Sequence, residues 1–453
     1  MILSFLITFI LGFLTSSLLF KNLKNIFLKI AVSFGLGFIL EAFLLFLILI
    51  SNIKSNWNII FLSIILLYIA ISCFIIKKKN LSIFNHENNK ENKPLFILFI
   101  STLFFSFYEI ILHFIKEPSG SWDGHFIWNF HTRFFYSLYS NEINYTHFFN
   151  NTIKWTHLDY PLLLPMYNLK TFILTNANSY SFGAITSVLF FIMITFLLIG
   201  TIEEISDRKN ALIAGLILIS TKSFLWESGT QCADIPLSFL FLAPFCFLLL
   251  YNKYGEKNFL ITAFFFASAS AFCKNEGILF FFIFTIFYLF LNKFSNLKNI
   301  LYGIIIPLFF VLYFKLFIYS QSDLFTQKNM MISIGKLKYI LEYLFWNLSN
   351  FINLIIIGIF SFFTGKRNNE IYNNTKKLMI LTLIFLAIGY ISIYLISPHD
   401  ITWHLSTSSI RLMTQGVPLF ILLIFLSFNC CSEKFISKTK DDCLKKVNEI
   451  EHQ

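Results

Sequence analysis

Asp123 stands in the run Ser121-Trp-Asp-Gly-His-Phe-Ile-Trp-Asn-Phe-His-Thr-Arg133, a polar and aromatic stretch in a chain otherwise rich in Phe and Ile. A carboxylate between Trp122 and His125, partly desolvated yet open to water, suits a general base that takes a proton from a hydroxyl. The plainer alternative is a turn or cap residue. The chain has only four arginines, Arg133, Arg208, Arg367 and Arg411. Arg133 and Arg411 lie in polar segments, where a planar fork of donors matches phosphate oxygens or, equally, lipid headgroups. Lys274 and Glu276 interrupt nearly continuous apolar sequence, and such charges need water or a partner. Lys274 is grouped with Arg133 and Arg411 as an expected phosphate-binding cation, a solvated turn broken by Gly277 being the equal alternative. Trp122, Trp128 and Trp403 offer flat aromatic faces to a substrate. His125, His157, Asp159, Tyr160, Asp234, Glu276, His399 and His404 complete the expected substrate-binding set. Of these, His157, Asp159, Asp234 and Glu276 could also hold a divalent cation, magnesium or manganese; no other cofactor is indicated.

The elements that must position these residues are membrane helices. Charged residues make up 13% of the 453 positions, too few to coat a soluble surface, while hydrophobic residues reach 57%. Apolar runs recur to about Cys430 and predict an all-α, polytopic transmembrane bundle of about 13 spans. They fall near 1–20, 30–50, 58–76, 95–115, 180–200, 211–225, 233–251, 259–272, 278–292, 299–320, 348–364, 378–397 and 412–430. Met1 to Phe20 has no basic leader region and is expected to be the first span. The stretch 161–175, short and carrying Pro165 and Lys170, is expected to lie in or dip into the interface. Glu41 and Glu109 fall inside spans; Glu41 is expected to pair within the bundle and Glu109 to snorkel.

Alternate loops hold 23 of the 35 basic residues, which places that set in the cytoplasm and the large first loop, 116–179, outside. The net charge of +11 is thus spent on orientation, and no nucleic-acid partner is indicated. All seven tryptophans fall in or beside the outer loops, a one-sided arrangement unlike an aromatic belt at both interfaces. The seven cysteines have no CxxC spacing, so neither a disulfide framework nor a zinc site is expected.

Five motifs follow in order: Trp122-Asp-Gly-x-x-x-Trp128-Asn-x-x-x-Arg133, His157-x-Asp-Tyr-Pro-Leu-Leu-Leu-Pro165, Asp234-Ile-Pro-Leu237, Lys274-Asn-Glu-Gly277, and Pro398-His-Asp-x-x-Trp-His-Leu405 with Arg411 after it. From about Pro94 to Phe420 this order resembles a group of bacterial membrane glycosyltransferases of the GT-C superfamily, relatives of the protein O-mannosyltransferases and the lipid A aminoarabinose transferases. The resemblance implies a multi-pass enzyme of the bacterial cytoplasmic membrane with an extracytoplasmic active site and a large first catalytic loop. Its donor would be a polyprenyl-phosphate sugar and its acceptor an extracytoplasmic glycan, lipid or protein, with inversion at the anomeric carbon. The loop Asp that acts as base in the relatives corresponds to Asp123, and His157 to Pro161 correspond to their His-Pro-Pro-like stretch. The mannosyltransferases have a paired Asp-Glu where this chain has Asp123-Gly124. On this division, 1–93 is a three-span extension, 94–430 the catalytic membrane domain and 431–453 a cytoplasmic tail. A transporter or flippase of a lipid-linked or anionic substrate, and a polymerase or ligase of lipid-linked glycans, are the competing readings.

Overall fold

The computed structural model describes residues 1–51, 56–78, 93–140, 151–318, 334–364 and 370–427, so the expected tail at 431–453 lies outside the described residues. Every described element is a helix. The chain opens with α1 (Ile2–Leu19), α2 (Ile26–Ile50), α3 (Trp57–Lys78) and α4 (Lys93–Lys116). A π-helical turn, Gly124–Asn129, leads into α5 (Phe130–Tyr139), followed by α6 (Leu163–Thr175) and α7 (Ser181–Ile205). Next come α8 (Arg208–Ile219), α9 (Lys222–Gly229), α10 (Asp234–Tyr254), α11 (Lys257–Ser270) and α12 (Asn275–Leu291). The remainder is α13 (Leu297–Tyr313) with a π-helical end at Phe314–Ile318, α14 (Ile334–Asn347), α15 (Ile352–Thr364), α16 (Asn373–Ile396), α17 (Ile401–Gln415) and α18 (Val417–Ser427).

Among the described residues, ten helical segments are long and apolar enough to cross a bilayer, or eleven if the α8–α9 pair counts as one span. The chain is therefore a multi-pass membrane protein. The difference from about 13 has a geometric cause. The runs at 259–272 and 278–292 form helices of 14 and 17 residues, about 21 and 26 Å at 1.5 Å per residue, short of a hydrocarbon core of about 30 Å. The run at 211–225 breaks at Ser220–Thr221, where α8 and α9 bend by 64°.

The core is made by α2, α7, α10 and α11, whose Phe, Leu and Ile side chains belong to one continuous buried cluster. Helices α1 and α2 meet through small residues: a Cβ on Gly12 would lie 1.6 Å from the Ser33 carbonyl oxygen, and one on Gly37 2.0 Å from that of Thr8. Where chain-chain hydrophobicity gives no advantage over lipid, such backbone approach is a main source of helix affinity. The exposed Ile, Leu and Phe side chains of α3, α4 and α13 face outward, as a lipid-contacting shell requires.

Helix α6, expected in or dipping into the interface, packs inside the bundle. It is buried along its length, and Lys170 forms a 2.8 Å ion pair with Glu41 of α2, both side chains 0% exposed. Thr8 donates to Glu41 Oε2 at 2.6 Å, and the Lys170 ammonium also reaches Thr8 Oγ1 at 2.5 Å and the Ser4 carbonyl at 3.3 Å. The pair is what lets a charged helix enter the core: each charge is desolvated, and each is answered. Glu41 thus pairs within the bundle, as its position suggests, while Glu109 is exposed on α4. Glu41→Ala should cost about 3–5 kcal/mol by stranding Lys170, whereas Glu41→Leu with Lys170→Met should regain most of the loss. The melting temperatures of the three purified proteins in detergent check this.

Polar contacts collect at the two ends of the bundle. At one end, Asn25 donates to Glu203 at 2.8 Å, Lys253 pairs with Glu204 at 2.8 Å, Asn258 donates to the Leu19 carbonyl at 2.6 Å, and Asn252 donates to Thr375 at 2.8 Å. These residues belong to the loops whose basic residues form the expected cytoplasmic set, or lie at their edges. The candidate site occupies the other end of α10.

Candidate functional site

The Trp122-Asp123-Gly124 turn is fixed by the connection between α9 and α10. Ser121 donates its N–H to the Thr230 carbonyl at 3.0 Å. A Cβ on Gly124 would lie 2.2 Å from that same oxygen, so glycine is the residue that lets the turn close. Gln231 ties the two strands of chain further: Asn129 donates to its side-chain oxygen at 2.8 Å, and Gln231 donates to the Pro118 carbonyl at 2.9 Å. Gly124→Ala should therefore displace Asp123 and cost about 1–3 kcal/mol, which melting temperature and activity would both register.

Asp234, the first residue of α10 and 1% exposed, is the hub. Its Oδ2 accepts from Arg411 Nη2 at 2.8 Å and Nε at 3.3 Å, and its Oδ1 from Lys274 Nζ at 2.9 Å and Gln415 Nε2 at 2.6 Å. Arg411 Nη1 crosses to Asp123 Oδ2 at 2.5 Å, joining residues 288 positions apart. Lys274 also pairs with Glu276 at 2.9 Å, and Tyr390 donates to Gln415 at 2.8 Å. Burial pulls the Lys274 pKa down, but the charges of Asp234 and Glu276 outweigh it and hold the ammonium well above its ordinary range. The ion pairs run in alternating sign: Asp123, Arg411, Asp234, Lys274, Glu276.

A second tier flanks it. Asp159 accepts from Asn275 at 2.8 Å, and Lys315, on the π-helical end of α13, donates to the Asp159 carbonyl at 2.8 Å and to Asn275 Oδ1 at 2.9 Å. Tyr160 is stacked between two rings, His157 at 5.1 Å and 14° and Trp128 at 5.5 Å and 13°. Burial, helped by the charge of Glu276, raises the Tyr160 pKa, so its hydroxyl stays protonated. Trp128 is fully buried and cannot be a sugar platform. Trp122 and Trp403, at 58% and 56% exposure, remain open.

The other expected residues are placed elsewhere. Arg133 stacks its guanidinium 3.4 Å from the centre of the Tyr180 ring and bonds that residue's hydroxyl, so it belongs to a separate pair and not to the Arg411–Lys274 cluster. His125 packs against Tyr180 at 5.3 Å, and burial, then the Arg133 charge, lowers its pKa. His399, Trp403 and His404 form their own ring group, with His404 4.8 Å from Tyr394. The segment carrying them is helical from Ile401, capped by Asp400 accepting from the Trp403 N–H at 2.9 Å. Gln415 and Tyr390 are contributors without a sequence signal, because neutral side chains inside apolar runs resemble ordinary helix content; Asn275 lies within the Lys274–Gly277 motif, and Lys315 is a lone charge in an apolar run whose partners only the fold supplies. Among the described residues, no three His, Cys, Asp or Glu side chains converge as metal ligands; Asp234 spends its oxygens on Arg411, Lys274 and Gln415, and Glu276 gives Oε1 to Lys274.

His131 in α5 is fully buried with Nε2 3.2 Å from Thr156 Oγ1. Desolvation, then the neighbouring His157, lowers its pKa from 6.5 to about 3. The unfolded chain therefore binds a proton that the folded chain refuses. The stability from keeping His131 neutral is complete above pH 6.5 and is lost progressively as pH falls from there toward 3. Between pH 6.5 and 4 the native melting temperature should fall more steeply than that of His131→Gln; parallel curves would refute the assignment.

Fold and site together define a multi-pass membrane protein with a buried charge cluster at one end of its bundle. No family model, curated protein or solved structure matches the chain.

Proposed function

We propose that the chain is a membrane glycosyltransferase of the bacterial cytoplasmic membrane. It moves a sugar from a polyprenyl-phosphate donor to a glycan, lipid or protein acceptor on the extracytoplasmic side. The observation that carries this reading is the convergence of Asp123, Asp234, Lys274, Glu276 and Arg411, from four separated segments, into one ion cluster. Charges taken out of water are costly, and a cluster that draws five of them together around the buried Asp234 and Lys274 is a functional candidate by default.

The roles follow from exposure and chemistry. A lipid phosphate departs as a stabilised anion and needs no general acid, so the reaction asks for one base and for cations. Of the two carboxylates on Arg411, Asp234 is buried and saturated, while Asp123 is 26% exposed. Asp123 is the one an acceptor can meet. In the step, the acceptor hydroxyl oxygen attacks C1 of the sugar and its proton passes to Asp123. The C1–O bond to phosphate breaks with its electron pair leaving on the phosphate, and the anomeric configuration inverts. Arg411 and Lys274 stabilise that phosphate, and Trp122 offers an open ring face beside Asp123. The apolar outer shell gives the prenyl tail a place next to the site, so donor and enzyme meet by diffusion in the membrane plane.

Membranes carrying the chain, supplied with radiolabelled sugar on polyprenyl phosphate, should incorporate label into an acceptor beyond membranes lacking it. Absence of incorporation across a broad panel of sugars would refute the reading.

A further inference from the structure

The guanidinium of Arg411 is divided between two unlike partners. Nε and Nη2 are held by Asp234, whose carboxylate is buried and also fixed by Lys274 and Gln415. Nη1 is held by Asp123 alone, through an ion pair whose side chains are 19% and 26% exposed. The first contact is built to stay, since breaking it would strand buried charge. The second is partly exposed, at 19% and 26%, so it costs less to break and is the exchangeable one of the two. As it stands, the cluster has no cation free of a carboxylate among its own members: Arg411 and Lys274 face Asp123, Asp234 and Glu276. An added anion would meet more negative charge than positive unless a carboxylate yields its place.

We infer that Nη1 of Arg411 is an anion-exchange point, at which a lipid-linked phosphate, the diester of the donor or the monoester left after transfer, displaces Asp123 while Asp234 holds the rest of the guanidinium in place. This rests on the transferase reading and adds order to it: Asp123 is held against Arg411 without donor and is released toward the acceptor when the donor phosphate arrives. The two aspartates on one arginine have opposite parts: Asp234 positions the cation and Asp123 competes for it.

Removing the base should improve binding of the phosphate. The purified full-length protein in detergent is titrated with a polyprenyl phosphate and, separately, with inorganic phosphate, following the fluorescence of its tryptophans, of which Trp122 adjoins Asp123. Asp123→Asn is expected to bind phosphate about fivefold more tightly than the native chain, and Asp123→Ser, which also removes the charge, should shift in the same direction. Tightening in both arms assigns a site for phosphate as such; tightening with the lipid alone assigns a headgroup site that needs its tail. Unchanged or weaker binding by both variants, or no binding by any of the three proteins, overturns the exchange. The transfer assay separates the two ideas. Asp123-dependent transfer without tightening removes the exchange only; tightening without transfer removes the transferase reading and leaves an anion site.

Discussion

Asp123→Asn is expected to lower sugar transfer about 10²–10⁴-fold, the usual contribution of a positioned general base, while leaving the protein folded. Asparagine has the same shape and can still accept a hydrogen bond from Arg411 Nη1, but it cannot take the acceptor proton. The stability cost is small because the Asp123–Arg411 pair is partly exposed, a class worth about 0.2–1 kcal/mol. Turnover measured on purified native and variant protein, with melting temperature alongside, separates chemistry from folding. Retained turnover would remove Asp123 as base.

Asp234→Asn is expected to behave differently, although the two aspartates share one arginine. Asp234 answers Arg411 and Lys274 at 2.8 and 2.9 Å from a position with 1% exposure. Without its charge, both cations face each other across a neutral amide, and breaking a buried pair in this way costs about 3–5 kcal/mol. The variant should therefore lose melting temperature and activity together. Asp123→Asn loses activity alone. If Asp234→Asn melts with the native protein, the hub assignment fails.

Much of this was readable in the residues because polar side chains are scarce here. In a chain with 61 phenylalanines and 13% charged residues, each Asp, Arg or Trp in an apolar context draws attention to itself, and the segments holding Asp123, Asp234, Lys274, Glu276 and Arg411 stand out before any coordinates. Partnership is another matter. Arg133 and Arg411 look alike in sequence, each in a polar segment with hydroxyl residues close by; only the fold puts Tyr180 under one and two carboxylates around the other. Trp122 and Trp128 are six positions apart in the same run, yet one is open and the other lies inside a three-ring stack. Lys170 marks 161–175 as interfacial because its partner Glu41 is 129 positions away. The expected count of about 13 spans exceeds the ten or eleven among the described residues for a related reason: composition shows that α11 and α12 are apolar, whereas their lengths depend on where they begin, after Gly255 and after Lys274. Gly255, in the left-handed region at φ +71°, ends α10 and so fixes where α11 starts.

The measurement that tests the transferase reading most directly uses the purified native chain in lipid vesicles with one labelled polyprenyl-phosphate sugar and its acceptor. Sugar joined to acceptor and polyprenyl phosphate released should appear in equal amounts, with the anomeric configuration inverted. Recovery of the intact lipid-linked sugar on the opposite leaflet, with its bond to phosphate unbroken, would contradict the account and make the chain a transporter.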